Sequence, residues 1–196
     1  MEITLENAKA AYNVADESGK RILAMLIPEL NEPKKDDRPI TERVKTFEDA
    51  CKELGEENPL YVQFREMYDN FLFEGGDNVS DIVAYLKLRI ICAALNEGWE
   101  PQFTEDETRY YPWFWLYNED ELSNEDKVNE LKEYGLISTD QYQTEYAGFA
   151  AAYSHYAPSY SSAYFGSRLC LKTPELARYC GKRFSDIWAD FNLIRK

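Results

Sequence analysis

The chain has 196 residues, of which 44% are hydrophobic and 15% aromatic, including fifteen Tyr, ten Phe and four Trp. That composition supports one good-sized core or two small ones and excludes an intrinsically disordered chain. A formal net charge of −14 repels a phosphate backbone and argues against general nucleic-acid binding.

The charge is unevenly placed. Residues 97–140 hold 3 basic and 13 acidic side chains, whereas residues 141–196 hold 7 and 4. Solubility is the ordinary reading of such acid. The sharper one is a surface that mimics nucleic acid or recruits a basic partner. The opening residues MEITLEN lack a basic start and an apolar run, which predicts no secretion. No stretch approaches the ~20 apolar residues of a membrane span, so no membrane partner is expected. Cys51, Cys92, Cys170 and Cys180 form no C-x-x-C pair and read as reduced, mostly buried thiols.

The first half reads as helices. Thr4 caps a short one to about Ala15, and a second runs from about Glu17 to Ile27. Residues 28–39, with three prolines and seven charges, read as a loop. Ile40, Val44, Phe47, Cys51 and Leu54 recur on one helical face. Thr46-Phe47-Glu48-Asp49 fits a capping box inside that stretch, which predicts a turn followed by a helix ending at Gly55. Asn58-Pro59 opens the next helix, and Ser80 is expected to cap another. In that helix, apolar residues from Ile82 to Leu95 cover nearly the whole circumference, so it should be central and buried, stopping at Gly98.

From Trp99 the texture changes. RYYPWFWLY, residues 109–117, places Tyr111, Trp113, Trp115 and Tyr117 on one face of a strand and Tyr110, Phe114 and Leu116 on the other. Bulk on both faces predicts a strand covered on both sides and lying in the core. Pro112 moves it to a sheet edge or a bulge. Residues 118–134 read as acidic helix with Leu122, Val128 and Leu131 inward. The Tyr/Ser/Ala-rich stretch 142–166 predicts short strands and ordered loops, followed by a strand at Ser167–Leu171. Thr173-Pro174-Glu175 then starts a last helix, whose buried face is Leu176, Cys180, Phe184, Ile187 and Phe191.

The expected fold is α+β: a helical N-terminal half, residues 1–98, packed on a C-terminal unit, residues 99–196. That unit holds a small antiparallel sheet and a closing C-terminal helix, and the two regions share one core. Strict β-α-β alternation is missing, so a doubly wound sheet is not expected.

Glycine-rich nucleotide loops, nucleophile elbows and paired-histidine zinc motifs are absent. A single histidine, His155, and unpaired cysteines predict no metal site, no cofactor and no catalytic constellation. Glu119, Asp120 and Glu121 form an acidic run without a calcium-loop glycine and are candidates for an acidic partner surface. Tyr153, His155, Tyr156, Tyr160 and Tyr164 are the candidate ligand or partner residues, because planar side chains stack on sugars, bases or protein surfaces at low entropy cost. A Tyr-rich core fits the same composition equally. Arg168 reads as a buried bridge or as a ligand clamp. A third scheme sets Arg109, His155 and Arg168 around a small-nucleotide or enzyme site.

Three stretches together, ITERVKTFEDACKELG (40–55), AYLKLRIICAALNEGWEPQFTEDETRYYPWFWLY (84–117) and YFGSRLCLKTPELARYCGKRFSDIWADF (164–191), resemble an uncharacterised family of hypothetical proteins from phages and prophages of gut bacteria. The resemblance spans about two-thirds of the chain. It implies a mobile-element origin and a place in the host cytoplasm or the virion, and carries over no catalytic residue. The polar-aromatic stretch followed by Gly166-Ser167-Arg168-Leu169-Cys170 also looks like the end of C-type-lectin-like domains. That likeness implies ligand display by Tyr153, His155, Tyr156, Tyr160 and Tyr164. Here a long amphipathic helix follows, where such domains usually stop. The expected function is a non-enzymatic phage-type interaction protein that binds a protein or glycan. An acidic inhibitor of a host defence or nucleic-acid enzyme stands as the alternative.

Overall fold

The computed structural model describes residues 4–30, 36–74, 79–102, 104–158 and 166–196. The chain divides into two compact units, Met1–Arg38 and Pro39–Lys196. In the first unit, α1 spans Leu5–Val14 and α2 spans Glu17–Leu26. Each starts where a short polar side chain can satisfy an orphan amide. Thr4 Oγ1 accepts from the Asn7 N–H at 3.3 Å, and Asp16 Oδ1 accepts from the Gly19 N–H at 2.8 Å. A 3-10 turn at Pro28–Leu30 follows. Residues 31–35 of the predicted loop lie outside the described residues.

The second unit opens with α3 (Ile40–Arg43), α4 (Phe47–Leu54), α5 (Pro59–Glu74) and α6 (Ser80–Asn96). The periodic stretch from Ile40 is two helices because Thr46 caps the second. Thr46 Oγ1 accepts from the Asp49 N–H at 3.1 Å, and Asp49 Oδ2 accepts from the Thr46 N–H at 3.0 Å. Such a box contributes about 0.5–2 kcal/mol. Asn58 Oδ1 accepts from the Leu60 N–H as α5 begins. Ser80 does not cap α6. Val79 holds the capping position without a side-chain bond, and Ser80 is the first helical residue.

Helix α6 is the centre of this unit. Leu88, Ile90, Ile91, Cys92 and Leu95 are fully buried, with α4, α5, α9 and α10 packed around them. It ends with Glu97 and Gly98 both left-handed, at φ +49° and +83°, so a residue with a Cβ takes the first position of the stop. Glu97 is held there by its carboxylate, which bonds Lys172 Nζ at 3.1 Å and Arg43 Nη2 at 2.5 Å. The Lys172 hydrogen bond holds that carboxyl below the ordinary glutamate range.

Strands β1 (Thr108–Tyr117), β2 (Ile137–Ser138) and β3 (Gly148–Pro158) form an antiparallel sheet in the order β1-β3-β2. Helices α7 (Glu119–Leu122) and α8 (Glu125–Lys132) connect β1 to β2. The stretch expected to hold short strands is thus dominated by one eleven-residue strand, β3. Its pairing with β1 shifts between Trp113 and Phe114: Trp113 faces Tyr153, Phe114 faces Ala151, and Ala152 is the extra residue of a bulge.

The strand expected at Ser167–Leu171 is instead a 3-10 turn, Ser167–Leu169, with one bridge from Leu171 to Tyr110. Leu169 and Leu171 alternate as in a strand, but both are fully buried, and the turn packs on α6. The last helix is two, α9 (Pro174–Arg183) and α10 (Ser185–Asn192), broken at Phe184 with φ −120° and ψ 34°. The break lets α9 lie on the sheet while α10 lies on α6. Val44, Ala50, Leu88, Ile91, Leu169, Ala177, Cys180 and Trp188 belong to one buried cluster. The four cysteines are free and buried. Among the described residues no helix is long and apolar enough to cross a membrane.

Candidate functional site

The two faces of the β1–β3 pair are treated differently. Helix α9 covers the inner one at close range. A Cβ on Gly181 would stand 2.8 Å from Pro112 Cβ and 3.3 Å from Ala151 Cβ, so only glycine lets the helix approach this far. Pro112, Phe114, Leu116, Phe149 and Ala151 therefore face inward. Phe114 stacks on Phe149 at 4.6 Å between centroids and meets Trp188 at 5.5 Å.

The outer face carries Arg109, Tyr111, Trp113, Trp115 and Tyr117 from β1, paired with Tyr153 and His155 of β3 across the upper part. Its two ends are closed. At one, Arg109 and Tyr111 are buried beneath the turn around Cys170, with Trp99 packed beside Tyr111 and Cys170. There Arg109 Nη1 donates to Ser167 Oγ at 3.1 Å. Burial pushes the Tyr111 phenol up to about 12 and the Cys170 thiol up to about 11. At the other end a Cβ on Gly148 would meet Leu122 Cδ1 and Leu136 Cδ1, each at 2.9 Å, so α7 and the α8–β2 connection cover Gly148.

Between these ends the face stays open. Trp115 is 53% exposed and Tyr153 44% exposed, while Trp113 and His155 are half-buried. Trp113 and Tyr153 stack nearly parallel, at 5.8 Å and 14°, and His155 tilts against Trp113 at 5.2 Å. The Trp113 indole N–H is shielded and has no acceptor among the described residues. Cross-strand stacking of this kind fixes the rings before any ligand arrives.

The expectation of a doubly covered β1 is thus corrected at Trp115, and the tyrosine set is divided. Tyr153 and His155 share the outer face. Tyr156, 60% exposed, belongs to the opposite side of β3 and pairs with Tyr110. Tyr160 and Tyr164 lie outside the described residues. Arg168 is exposed, so it is not a buried bridge. The buried arginine is Arg109, with His155 half-buried and Arg168 exposed. Glu119, Asp120 and Glu121 are all exposed on α7. That helix is held by a capping box in which Asn118 Oδ1 accepts from the Glu121 N–H and Glu121 Oε2 accepts from the Asn118 N–H. Among the described residues no His, Cys, Asp and Glu group is arranged to hold a metal ion.

Trp113 and Trp115 are the residues that the sequence reading assigned to the core. Pro112, a sign of an edge strand, was the signal that their face could lie open. No protein-family model, curated protein or solved structure matches the chain.

Proposed function

We propose that this is a non-enzymatic, phage-type interaction protein, acting in the host cytoplasm or on the virion, whose outer sheet face binds a protein or glycan partner. The observation that carries this reading is the strip Trp115–Trp113–Tyr153–His155. It places two partly open indoles and a phenol side by side on a sheet whose other face is packed against α9. Large aromatics exposed together on a rigid support are unusual for a surface with no partner. Pre-stacked rings lose little conformational freedom when a flat or apolar ligand surface settles on them. Tyr153 and His155 remain in the site as the sequence suggested, with Trp113 and Trp115 joining them.

The test compares immobilised wild-type protein with the Trp115→Ala/Tyr153→Ala double variant, each exposed to bacterial lysate and to a panel of oligosaccharides. Species held by the wild type and released by the variant, with the two melting temperatures equal, support the reading. Identical retention by both proteins overturns it.

A further inference from the structure

The strip has a charged border that selects among partners. At the Tyr117 end, α7 carries Glu121 directly after β1 and sets Leu122 against Gly148, the cross-strand partner of Tyr117, and the exposed Glu130 of α8 lies 3.4 Å from Lys127. At the Tyr111 end, Glu107 stands immediately before β1 and accepts from the Gln102 N–H at 2.7 Å. Of the cations at that end, Arg109 is fully buried and bonded to Ser167, while Arg168 on the covering turn is exposed, so the acid predominates at the Tyr117 end. Residues 97–140, which supply β1 and both of its flanks, display twelve exposed acids against two exposed lysines, Lys127 and Lys132. The aromatic faces are themselves electron-rich and attract cations lying over them. Rings and border therefore favour the same sign of charge.

Among biological cations, the guanidinium fits this arrangement best. It is flat, stacks on indole and phenol rings, stays charged at every relevant pH, and can still donate to a carboxylate at its edge. A neutral sugar could stack on the rings and donate its hydroxyls to the carboxylates, but it carries no charge for the acidic border to attract. A nucleic acid would be repelled by them. We propose that the strip receives arginine side chains of a basic protein segment, which stack on Trp115, Trp113 and Tyr153 and pair with Glu121 and Glu130. The inference rests on the strip being the binding surface and adds the chemistry of its occupant.

The experiment titrates the full chain, by calorimetry, with three probes. They are a peptide of alternating glycine and arginine, a glycine–serine peptide of equal length, and a neutral cello-oligosaccharide. The proteins are wild type, Trp115→Ala, and Glu121→Gln/Glu130→Gln, each first shown to melt at the wild-type temperature.

The expected result is binding of the arginine peptide alone, weakened about tenfold by raising salt from low to physiological ionic strength. Trp115→Ala should weaken it about tenfold, and the double glutamine variant severalfold. Arginine-peptide binding that is equal in wild type and Trp115→Ala overturns the inference, because the peptide is then attracted only by overall acidity. Salt-insensitive oligosaccharide binding that Trp115→Ala abolishes, with no response to the arginine peptide, also overturns it while leaving the strip as the binding surface. If no probe distinguishes wild type from Trp115→Ala, the inference is overturned, and the strip itself loses support as the binding surface.

Discussion

The two faces of the β1–β3 pair use the same kind of residue for opposite ends. On the inner face Phe114 and Phe149 stack under α9, with Phe149 only 3% exposed. On the outer face Trp113 and Tyr153 stack in much the same cross-strand fashion, yet Tyr153 and its neighbour Trp115 meet solvent. What separates them is the neighbour. Gly181 lets a helix press onto the inner face, whereas among the described residues Leu122, Leu136, Trp99 and Cys170 cover the two ends of the outer face. Aromatic content alone therefore says nothing about whether a strand face is core or platform; the packing partner decides.

The contrast can be broken most forcefully from the inside. Phe149→Ala should cost about 3–5 kcal/mol, the range for truncating a buried phenylalanine, read as a lower urea midpoint. A loss below about 1 kcal/mol would mean that the inner face is not closed as described. The covered end of the outer face gives the next largest effect. Tyr111 and Cys170 titrate higher in the folded protein, at about 12 and about 11, than in the unfolded chain, at about 10 and about 8.5. Their stabilising contribution is complete below about pH 8.5 and is lost as pH rises through about 11 and 12. These two groups should contribute a fall of roughly 2–4 kcal/mol between pH 8 and 11, to which the buried Cys51 and Cys92 thiols, also pushed up, add, and Tyr111→Phe should lessen the total. A flat profile would place these groups in contact with water. The smallest effect belongs to the open strip. Trp115→Ala or Tyr153→Ala should change stability by no more than about 1 kcal/mol, the upper range for a cross-strand aromatic pair. A larger drop in melting temperature would return those rings to the core.

Local signals were legible wherever the physics is local. The Thr46–Asp49 box, the Asn58-Pro59 start and the Thr173-Pro174 start are all present, because capping involves residues two or three apart in the chain. The all-round apolar pattern of α6 announced its central place. The failures are tertiary. The 167–171 segment has strand-like alternation, but its leucines reach α6 from a 3-10 turn, and Leu171 makes only one bridge to Tyr110. Phe184 breaks a continuous helical pattern because sheet and α6 need different helix directions. The exposure of Trp115 was hidden because strand periodicity assigns residues to faces without saying which face is covered. Tyr156 parted from Tyr153 because neighbouring positions three apart in an extended strand point to opposite sides.

The bulge at Ala152 sits in a run of three identical residues, Ala150-Ala151-Ala152, between Phe149 and Tyr153. Only two of the three are needed to step from Phe149, under the helix, to Tyr153, in the open. The strand thus holds one codon of slack. Loss of one alanine would iron out the kink and reduce the local twist while every ring kept its side. A fourth alanine has no such outlet and would force either a second kink or the exchange of Tyr153 and His155 for Ser154 and Tyr156. Shortening by one alanine should therefore keep the open aromatic strip, and lengthening by one should erase it.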